Sequence, residues 1–562
     1  MTGEKQSVNQ QQKCDWNSID WRHVTTFVRK LRQEIFCAAK EGNLKRVRSL
    51  QNVMLRSYEN RCLAVRRVTQ LNKGRTTAGV DKIIVKTPEA RSRLVDELAE
   101  YQLTKKLPAR RVYIPKANGK MRPLGIPDIK NRAVQAMVKN ALEPFWEAKF
   151  EDSSYGFRPK RSCQDAISRI FKIVCQKGAK SWVLDADIKG AFDNISHEKL
   201  MELIGNFPAR ELIRQWLKAG YVEFDGSYYD TIAGTPQGGV ISPLLANIAL
   251  HGMEEIVGVK YRPIKRNGKI SSYDLTSDSN ALVRYADDFV VFFKTKEEAE
   301  DTKEKLKVWL AERGLELNEE KTRIVSLDDG FDFLGFNIRR YRTKTSKKGE
   351  KIFIKPSKES VKTFRKKLSE TFRKYDGQPV ENLISRVNPM IRGWCNYFRC
   401  SVASRTFDSL DNYLMTLQYR WVRRRHSRKR WNWHKRYWGN YHKGANWVFG
   451  SAECFMMKPS WVPIKRHVVV KRFACWDDPA IEGYWEKRDR EKSSDLLTVK
   501  KRRIAKQQNF LCPACGQSLN NDEELHEHHK VLRSKGGDDS DSNLEILHLY
   551  CHQAKHGAKN GS

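Results

Sequence analysis

Between residues 20 and 70 apolar side chains recur at helical intervals, as Val28, Leu31 and Ile35 do and then Val47, Leu50 and Met54, with basic residues between them. The spacing predicts amphipathic helices in an exposed basic region. From about 110 to 340 the pattern shortens. Runs such as "RRVYIP", "WVLDADI" and "FVVFF" are broken by Gly and Pro and alternate with helical stretches, which predicts an α+β unit. The stretch "YRTKTSKKGEKIFIKPSK" reads as a basic linker. After it Val361, Phe364, Leu368 and Phe372 step at helical spacing while Arg365, Lys366, Lys367, Arg373 and Lys374 take the other faces, so an amphipathic cationic helix is expected there.

Charge changes this picture. Lys and Arg number 105 against 67 Asp and Glu, a formal net charge of +38, in a chain that is 40% hydrophobic. That excess exceeds what solubility needs and points to a polyanionic partner, nucleic acid first. Residues 420 to 443, "RWVRRRHSRKRWNWHKRYWGNYHK", hold no acid and interleave Trp421, Trp431, Trp433, Tyr437, Trp438 and Tyr441 with Arg and Lys. Guanidinium groups neutralise phosphates while aromatic faces accept unpaired bases, so the tract suits RNA or single-stranded DNA, with part of its tryptophan set going to core. No run of some 18 apolar residues occurs, and Met1 to Lys13 lacks the apolar stretch of a secretory signal; a cytoplasmic location and no membrane are expected. Of the 12 cysteines, Cys14, Cys37, Cys62, Cys163 and Cys175 are among those scattered singly, which suits reduced thiols.

The candidate chemistry begins with carboxylates. "VRYADDFVVFFK" sets Asp287 and Asp288 side by side at the mouth of an apolar strand-like run, and "SWVLDADIKGAFDNI" puts Val183, Asp185 and Asp187 on one strand face. If the two strands pair, Asp187 lies beside Asp287 and Asp288, and three such charges are tolerable only around cations. Two divalent ions about 3.5–4 Å apart would activate a hydroxyl and stabilise a leaving pyrophosphate, and Mg²⁺ suits all-oxygen ligands.

"YADD", preceded by "DIKGAFD" and "GTPQGGVISPLLANI", resembles the palm of a reverse transcriptase. The ordered set "RRVYIPKANGKMRPLGIP", "SYGFRP", "GLELNEEKT", "FDFLGF" and "NPMIRGWCNYF" is similar to the bacterial group II intron-encoded reverse transcriptase–maturases. The resemblance implies that Asp187, Asp287 and Asp288 hold Mg²⁺, that Lys116 and Arg122, in a fingers hairpin turning at "ANGK", grip the incoming triphosphate, that Gln237 contacts the nucleotide, and that Phe192 packs under the sugar and excludes a 2′-hydroxyl. Asp185 and Asp193 are then structural.

Near the C-terminus "CPAC" and "HLYC" supply Cys512, Cys515, His548 and Cys551 at the spacing of two zinc knuckles, so structural Zn²⁺ is expected; a redox C-x-x-C is the competing reading. Between and after them the order His-His, Asn, His resembles an HNH (ββα-metal) nuclease. There His528, His552 and His556 would gather one divalent cation, His529 would be the general base and Asn543 would orient it. Many relatives carry an acid two residues before the His pair, where this chain has His526.

The expected architecture is therefore multidomain α+β. An N-terminal basic helical extension (1–85) leads into a right-hand polymerase, its fingers and palm (86–345) built on an antiparallel sheet. An α-helical thumb or maturase domain (346–440), a basic DNA-binding region (441–504) and a small HNH zinc domain (505–562) follow. The resemblance implies a protein that binds group II intron RNA as a ribonucleoprotein, assists its splicing, nicks one strand of a DNA target, and copies the intron RNA into cDNA from dNTPs. Trp447, Trp461, Trp476 and Trp485 are expected to touch the DNA. A splicing maturase with a relic polymerase is one rival, countered by the intact "YADD" and Asp187. A retron or diversity-generating reverse transcriptase is another, countered by the thumb, the basic aromatic tract and the HNH tail.

Overall fold

The computed structural model describes residues 14–99, 108–115, 119, 121–176, 180–344, 349–442, 444–521 and 523–557. Helix Trp21–Lys40 starts where the Asp20 carboxylate accepts from the amides of Arg22 and His23, satisfying two of the donors a helix start leaves open. Its Val24, Val28, Leu31 and Ile35 are buried. With helices Leu44–Arg56 and Tyr58–Arg66 it packs around helix Ile129–Glu147. The expected exposed basic region is thus a packed bundle, because its apolar stripe finds a partner some hundred residues downstream.

Helix Ile129–Glu147 is buried on nearly every side although it carries seven polar residues in its core-facing turns. Each is tied down, as buried polar groups must be. Asn131 accepts from the Trp216 indole (2.7 Å), Gln135 accepts from the Val240 amide (2.8 Å), Glu143 accepts from Arg32 (3.0 Å), and Glu147 takes the Arg158 guanidinium (2.7 Å).

Strands β1 (Ala109–Pro115) and β2 (Met121–Ile126) form an antiparallel hairpin, flanked by the short strands Tyr221–Val222 and Tyr228–Tyr229. The central sheet is antiparallel. Its strands are β3 (Trp182–Asp187), β4 (Ala281–Tyr285), β5 (Asp288–Phe293) and β6 (Arg323–Ser326), in the order β6-β3-β5-β4. Alternation along β5 sends Phe289, Val291 and Phe293 into a core shared with helix Lys296–Ala311 and the N-terminal helices, and Val290 and Phe292 into a second core shared with helix Cys163–Val174 and the downstream helices. The sheet thus joins two cores and is buried on both faces.

The described residues of 341–358 do not form the expected linker. Strand β7 (Phe336–Arg342) pairs antiparallel with β8 (Glu350–Pro356), Phe336 opposite Pro356 and Arg342 opposite Glu350. Alternation within "KIFIKP" buries Ile354, a signal that the density of lysines hides. Helices Lys358–Lys374, Val380–Phe398 and Ser404–Arg425 then form a bundle through Phe364, Leu368, Phe372, Leu383, Val387, Ile391, Phe407 and Leu414. Trp421 and Trp438 of the basic aromatic tract are buried, whereas Trp431 and Trp447 stack at 5.9 Å and stay exposed.

The following segment crosses back over the polymerase. Buried carboxylates of the upstream chain hold it: Asp165 accepts from His467 (2.9 Å), the Val470 amide (2.9 Å) and Arg488 (2.6 Å), Asp152 from Arg472 (3.1 Å), while Asp477 takes a bidentate Arg32 (2.8 and 2.7 Å). Trp485 is buried and donates to the Cys475 carbonyl, and Trp476 lies under Arg29 and Lys160. Trp485 is therefore a core residue and cannot touch DNA as expected. The C-terminal unit has its own small core around Ile504, Leu519, Leu544 and Ile546, beside strands β9 (Leu525–His529) and β10 (Leu544–His548) and helix Leu549–Gly557. Among the described residues no helix is long and apolar enough to cross a membrane, and no disulfide is formed.

Candidate active sites

The β3–β5 register sets Asp187 directly opposite Asp288. Strands β4 and β5 are joined by Ala286 and Asp287 alone, with Tyr285 opposite Asp288. Two-residue hairpins of this kind need a positive φ at the first loop position, and Ala286 adopts +60°. Two residues absent from the sequence reading hold that turn. Arg284 is fully buried and donates to Asn247 (3.1 Å) and to the Ala286 carbonyl (3.3 Å). Gly156, from "SYGF", lies so close beneath that a Cβ there would sit 2.3 Å from the Ala286 nitrogen. The neighbouring backbone is stitched to β4, since the Tyr155 amide donates to the Arg284 carbonyl and the Arg284 amide to the Ser153 carbonyl, both at 2.9 Å.

The acids repel one another as expected. Burial and then Asp287 push Asp288 up to about 7, and Asp288 shares a hydrogen bond with Asp187. Burial also raises Asp287, with Arg122 and Lys321 opposing. A cation already sits on Asp187: the Lys321 ammonium donates at 2.6 Å, and Asn318 donates its side-chain amide at 3.2 Å. Both come from "GLELNEEKT", and their part in the site was legible only as motif membership. Asp185 lies two residues back on the same strand face, beside Asp187, and pairs with Arg323 (3.2 Å); burial raises it to about 6.

Around the acids, Phe192 is half-buried with its ring edge-on to Phe157 (6.0 Å) beside a cavity of about 310 Å³ lined also by Arg111, Gln135 and Trp216. Gln237 donates to Asp193 (3.2 Å), and its carbonyl accepts from the Gly125 amide (2.9 Å), tying the "PQGG" loop to β2. Gly238 has φ +134°, and a Cβ there would lie 2.6 Å from the Gly125 carbonyl oxygen. Arg122 is exposed on β2 opposite Ile114. Lys116 lies outside the described residues.

In the C-terminal unit Cys512, Cys515, His548 and Cys551 are all buried with ligand atoms within 4.8 Å of one another. His548 Nε2 faces the Ser518 carbonyl (3.2 Å), leaving Nδ1 turned to Cys515 Sγ (3.4 Å). Hydrogen bonds from Cys515 and Cys551 depress the Cys512 thiol. Three cysteine sulfurs and one imidazole oriented through its second nitrogen by a carbonyl fit a tetrahedral zinc site.

On the other face of the unit His528, His552 and His556 also converge within 4.8 Å, His556 Nε2 lying 3.2 Å from His552 Nε2 and 3.3 Å from His528 Nδ1. His526 stacks on His552 (5.3 Å) on this same strand face, and Glu527 turns outward to Lys500 (2.8 Å). His529, one residue out of phase, bonds Asp539 (2.7 Å). Asn543 does not reach it. Its amide donates to the Val531 and Asp538 carbonyls and accepts from the Val531 amide, so it pins the loop that carries Asp539. The side chain that touches His529 is Asp539, which the sequence reading missed because loop acids are common.

A palm hairpin that brings three carboxylates side by side, a fingers hairpin, a helical thumb and a separate tail with two clusters that could hold metal define a right-hand polymerase joined to a small Cys/His-rich unit. Four families match in series: "N-terminal domain of reverse transcriptase" over residues 16–98, "Reverse transcriptase (RNA-dependent DNA polymerase)" over 114–338, "Group II intron, maturase-specific domain" over 361–438 and "HNH endonuclease" over 512–557. Among known proteins the chain is similar to the group II intron-encoded protein LtrA of Lactococcus lactis (34% identical over 386 residues, 56% of this chain and 63% of LtrA). It is also similar to protein YkfC of Escherichia coli K12 (38% over 309 residues, 50% of this chain and 80% of YkfC) and to a 91 kDa protein in the cob intron of Schizosaccharomyces pombe (32% over 356 residues, 52% and 43%). The aligned part spans less than two thirds of LtrA's length. The chain belongs to the family of group II intron-encoded reverse transcriptase–maturases that carry an HNH endonuclease domain.

Proposed function

We propose that this protein copies its intron RNA into cDNA at a DNA target, assists splicing of that RNA as a maturase, and nicks the second DNA strand with its HNH domain. The observation that carries the reading is the register that sets Asp187 opposite Asp288 with Asp287 in the adjoining turn, in a chain that also holds the maturase and HNH matches. Asp187, Asp287 and Asp288 would hold Mg²⁺. Their all-oxygen set, and the Lys321 ammonium already seated on Asp187, fit a divalent cation. When bound, such ions stabilise charge on the attacking and leaving oxygens.

The remaining roles belong to this chain's own side chains. Arg122, with Lys116, would bind the triphosphate of a dNTP, a guanidinium bridging two phosphate oxygens. Phe192 would wall off the sugar's 2′ position, and Gln237 would leave Asp193 to contact the nucleotide. Cys512, Cys515, His548 and Cys551 would hold Zn²⁺ and so fold the tail, while His528, His552 and His556 would hold the nuclease cation. His529 would take a proton from water at Nδ1, because Nε2 donates to Asp539, and Asp539 with Arg533 would fix the ring. Asn543 would position that loop. Intron RNA and target DNA are the partners, with the exposed Trp431–Trp447 pair and neighbouring arginines offering a stacking face; the cytoplasm is the proposed location.

Two measurements test this together. Sequenced RNA that copurifies with the protein is expected to be enriched in one structured intron, and purified protein with Mg²⁺ is expected to extend a DNA primer on that RNA. Bulk ribosomal RNA and no extension would overturn the reading.

A further inference from the structure

Arg66 is a buried cation whose partners lie in another part of the chain. It ends helix Tyr58–Arg66 of the N-terminal bundle with 2% of its surface exposed. Its Nη2 points at Cys551 Sγ (3.4 Å) and lies 3.9 Å from the Glu523 carboxylate, both in the C-terminal unit. Its guanidinium plane stacks over Trp21 (4.5 Å), which itself packs against the C-terminal core. Beside it the Arg22 side chain touches Gly516, in the turn after Cys515: a Cβ on Gly516 would lie 3.4 Å from Arg22.

A guanidinium removed from water is costly unless an anion answers it. The groups placed to answer it are the Glu523 carboxylate at 3.9 Å and, nearer, the Cys551 sulfur at 3.4 Å. A zinc centre of three thiolates and one neutral imidazole carries one net negative charge, and Cys551 is where that charge comes nearest the N-terminal helices. We propose that Arg66 is a positioning residue for the zinc centre, neutralising its charge through Cys551 so that zinc loading and the seating of the HNH domain on the N-terminal bundle are coupled. This rests on the zinc reading above. Coupling of this kind is reciprocal: docking holds zinc, and zinc holds the dock, by the same factor. The nuclease is in this way carried at a fixed place on the polymerase by a salt link between a helix and a metal ligand, instead of trailing on a tether.

The test uses the full chain. Zinc content is measured, then zinc release into a chromogenic chelator is timed, and amide exchange is mapped over 21–40 and 58–66 before and after chelation. Outer partners of metal ligands typically hold about 10- to 100-fold in metal affinity. Arg66→Met is expected to bind one zinc and release it faster by about that factor, with Arg66→Lys recovering most of the difference. Replacing zinc with Co²⁺ should shift the thiolate-to-metal absorption band in Arg66→Met, which loss of packing alone would not do. In the unsubstituted protein chelation is expected to deprotect both N-terminal helices, and this measurement stands even if Arg66→Met fails to fold. Zinc-loaded protein in which Arg66→Met releases metal at the unsubstituted rate, or in which chelation leaves the N-terminal helices protected, overturns the coupling alone. A protein that takes up no zinc overturns the zinc reading and the coupling with it.

Discussion

Asp187 and Asp288 face each other across paired strands of one antiparallel sheet, close enough to share a hydrogen bond while Lys321 caps Asp187 from outside. Two acids adjacent in space but a hundred residues apart are unstable without cations. Replacing Asp287, which completes the group from the turn, with Ala is expected to abolish primer extension. Metal stabilisation of transition-state charge is worth several kcal/mol, so at about 1.4 kcal/mol per tenfold the loss should reach about a thousandfold or more. A steady-state primer-extension assay with Mg²⁺ measures it, and near-normal extension would sink the assignment.

Gly156→Ala tests the support under the turn. A Cβ there meets the Ala286 nitrogen at 2.3 Å, a backbone contact that no rotamer change relieves. The turn must shift, at a cost of about 1–3 kcal/mol, and Asp287 moves with it. Primer extension is expected to fall at least tenfold while the chain stays folded by circular dichroism. Full activity would show that the turn tolerates displacement.

Asp165 joins helix Cys163–Val174 to the returning segment through His467 and Arg488. Burial favours its neutral form, but those partners win and hold it near 2, below the ordinary value of about 3.9. A carboxyl depressed on folding stabilises above its unfolded pKa, and that contribution is lost as pH falls through the folded value; here the window runs from about 4 to about 2, and the full effect is about 2–3 kcal/mol. Asp165→Asn is therefore expected to lower the urea midpoint at pH 6 and to approach the unsubstituted protein near pH 2.5. A gap that stays constant across that range would refute the linkage.

His529→Ala removes the proposed nuclease base but no residue of either metal cluster. It is expected to abolish second-strand nicking of a labelled target duplex by reconstituted ribonucleoprotein, with primer extension and splicing kept. Asp539→Asn should show a smaller loss of nicking, because it removes only the group that fixes the ring. Normal nicking by His529→Ala would leave the tail a zinc-stabilised DNA-binding module.

Much of this protein is local in its sequence. The paired "DD", the "CPAC" and "HLYC" knuckles and the i, i+4 histidines His552 and His556 announce their chemistry because each lies within one turn of chain, and strand alternation alone puts Asp187 on a face where it can join Asp287 and Asp288. The tertiary structure decided which partners distant segments would find. It buried the N-terminal helices around Ile129–Glu147, made a strand pair of Phe336–Arg342 and the lysine-bearing Glu350–Pro356, gave Trp485 to the core, and chose Asp539 over Asn543 for His529. Periodicity reports that a face is apolar or that a residue is charged, but it cannot say what will cover that face or answer that charge. Arg66 reads as one more basic residue among 105 until folding removes it from water and sets it against Cys551.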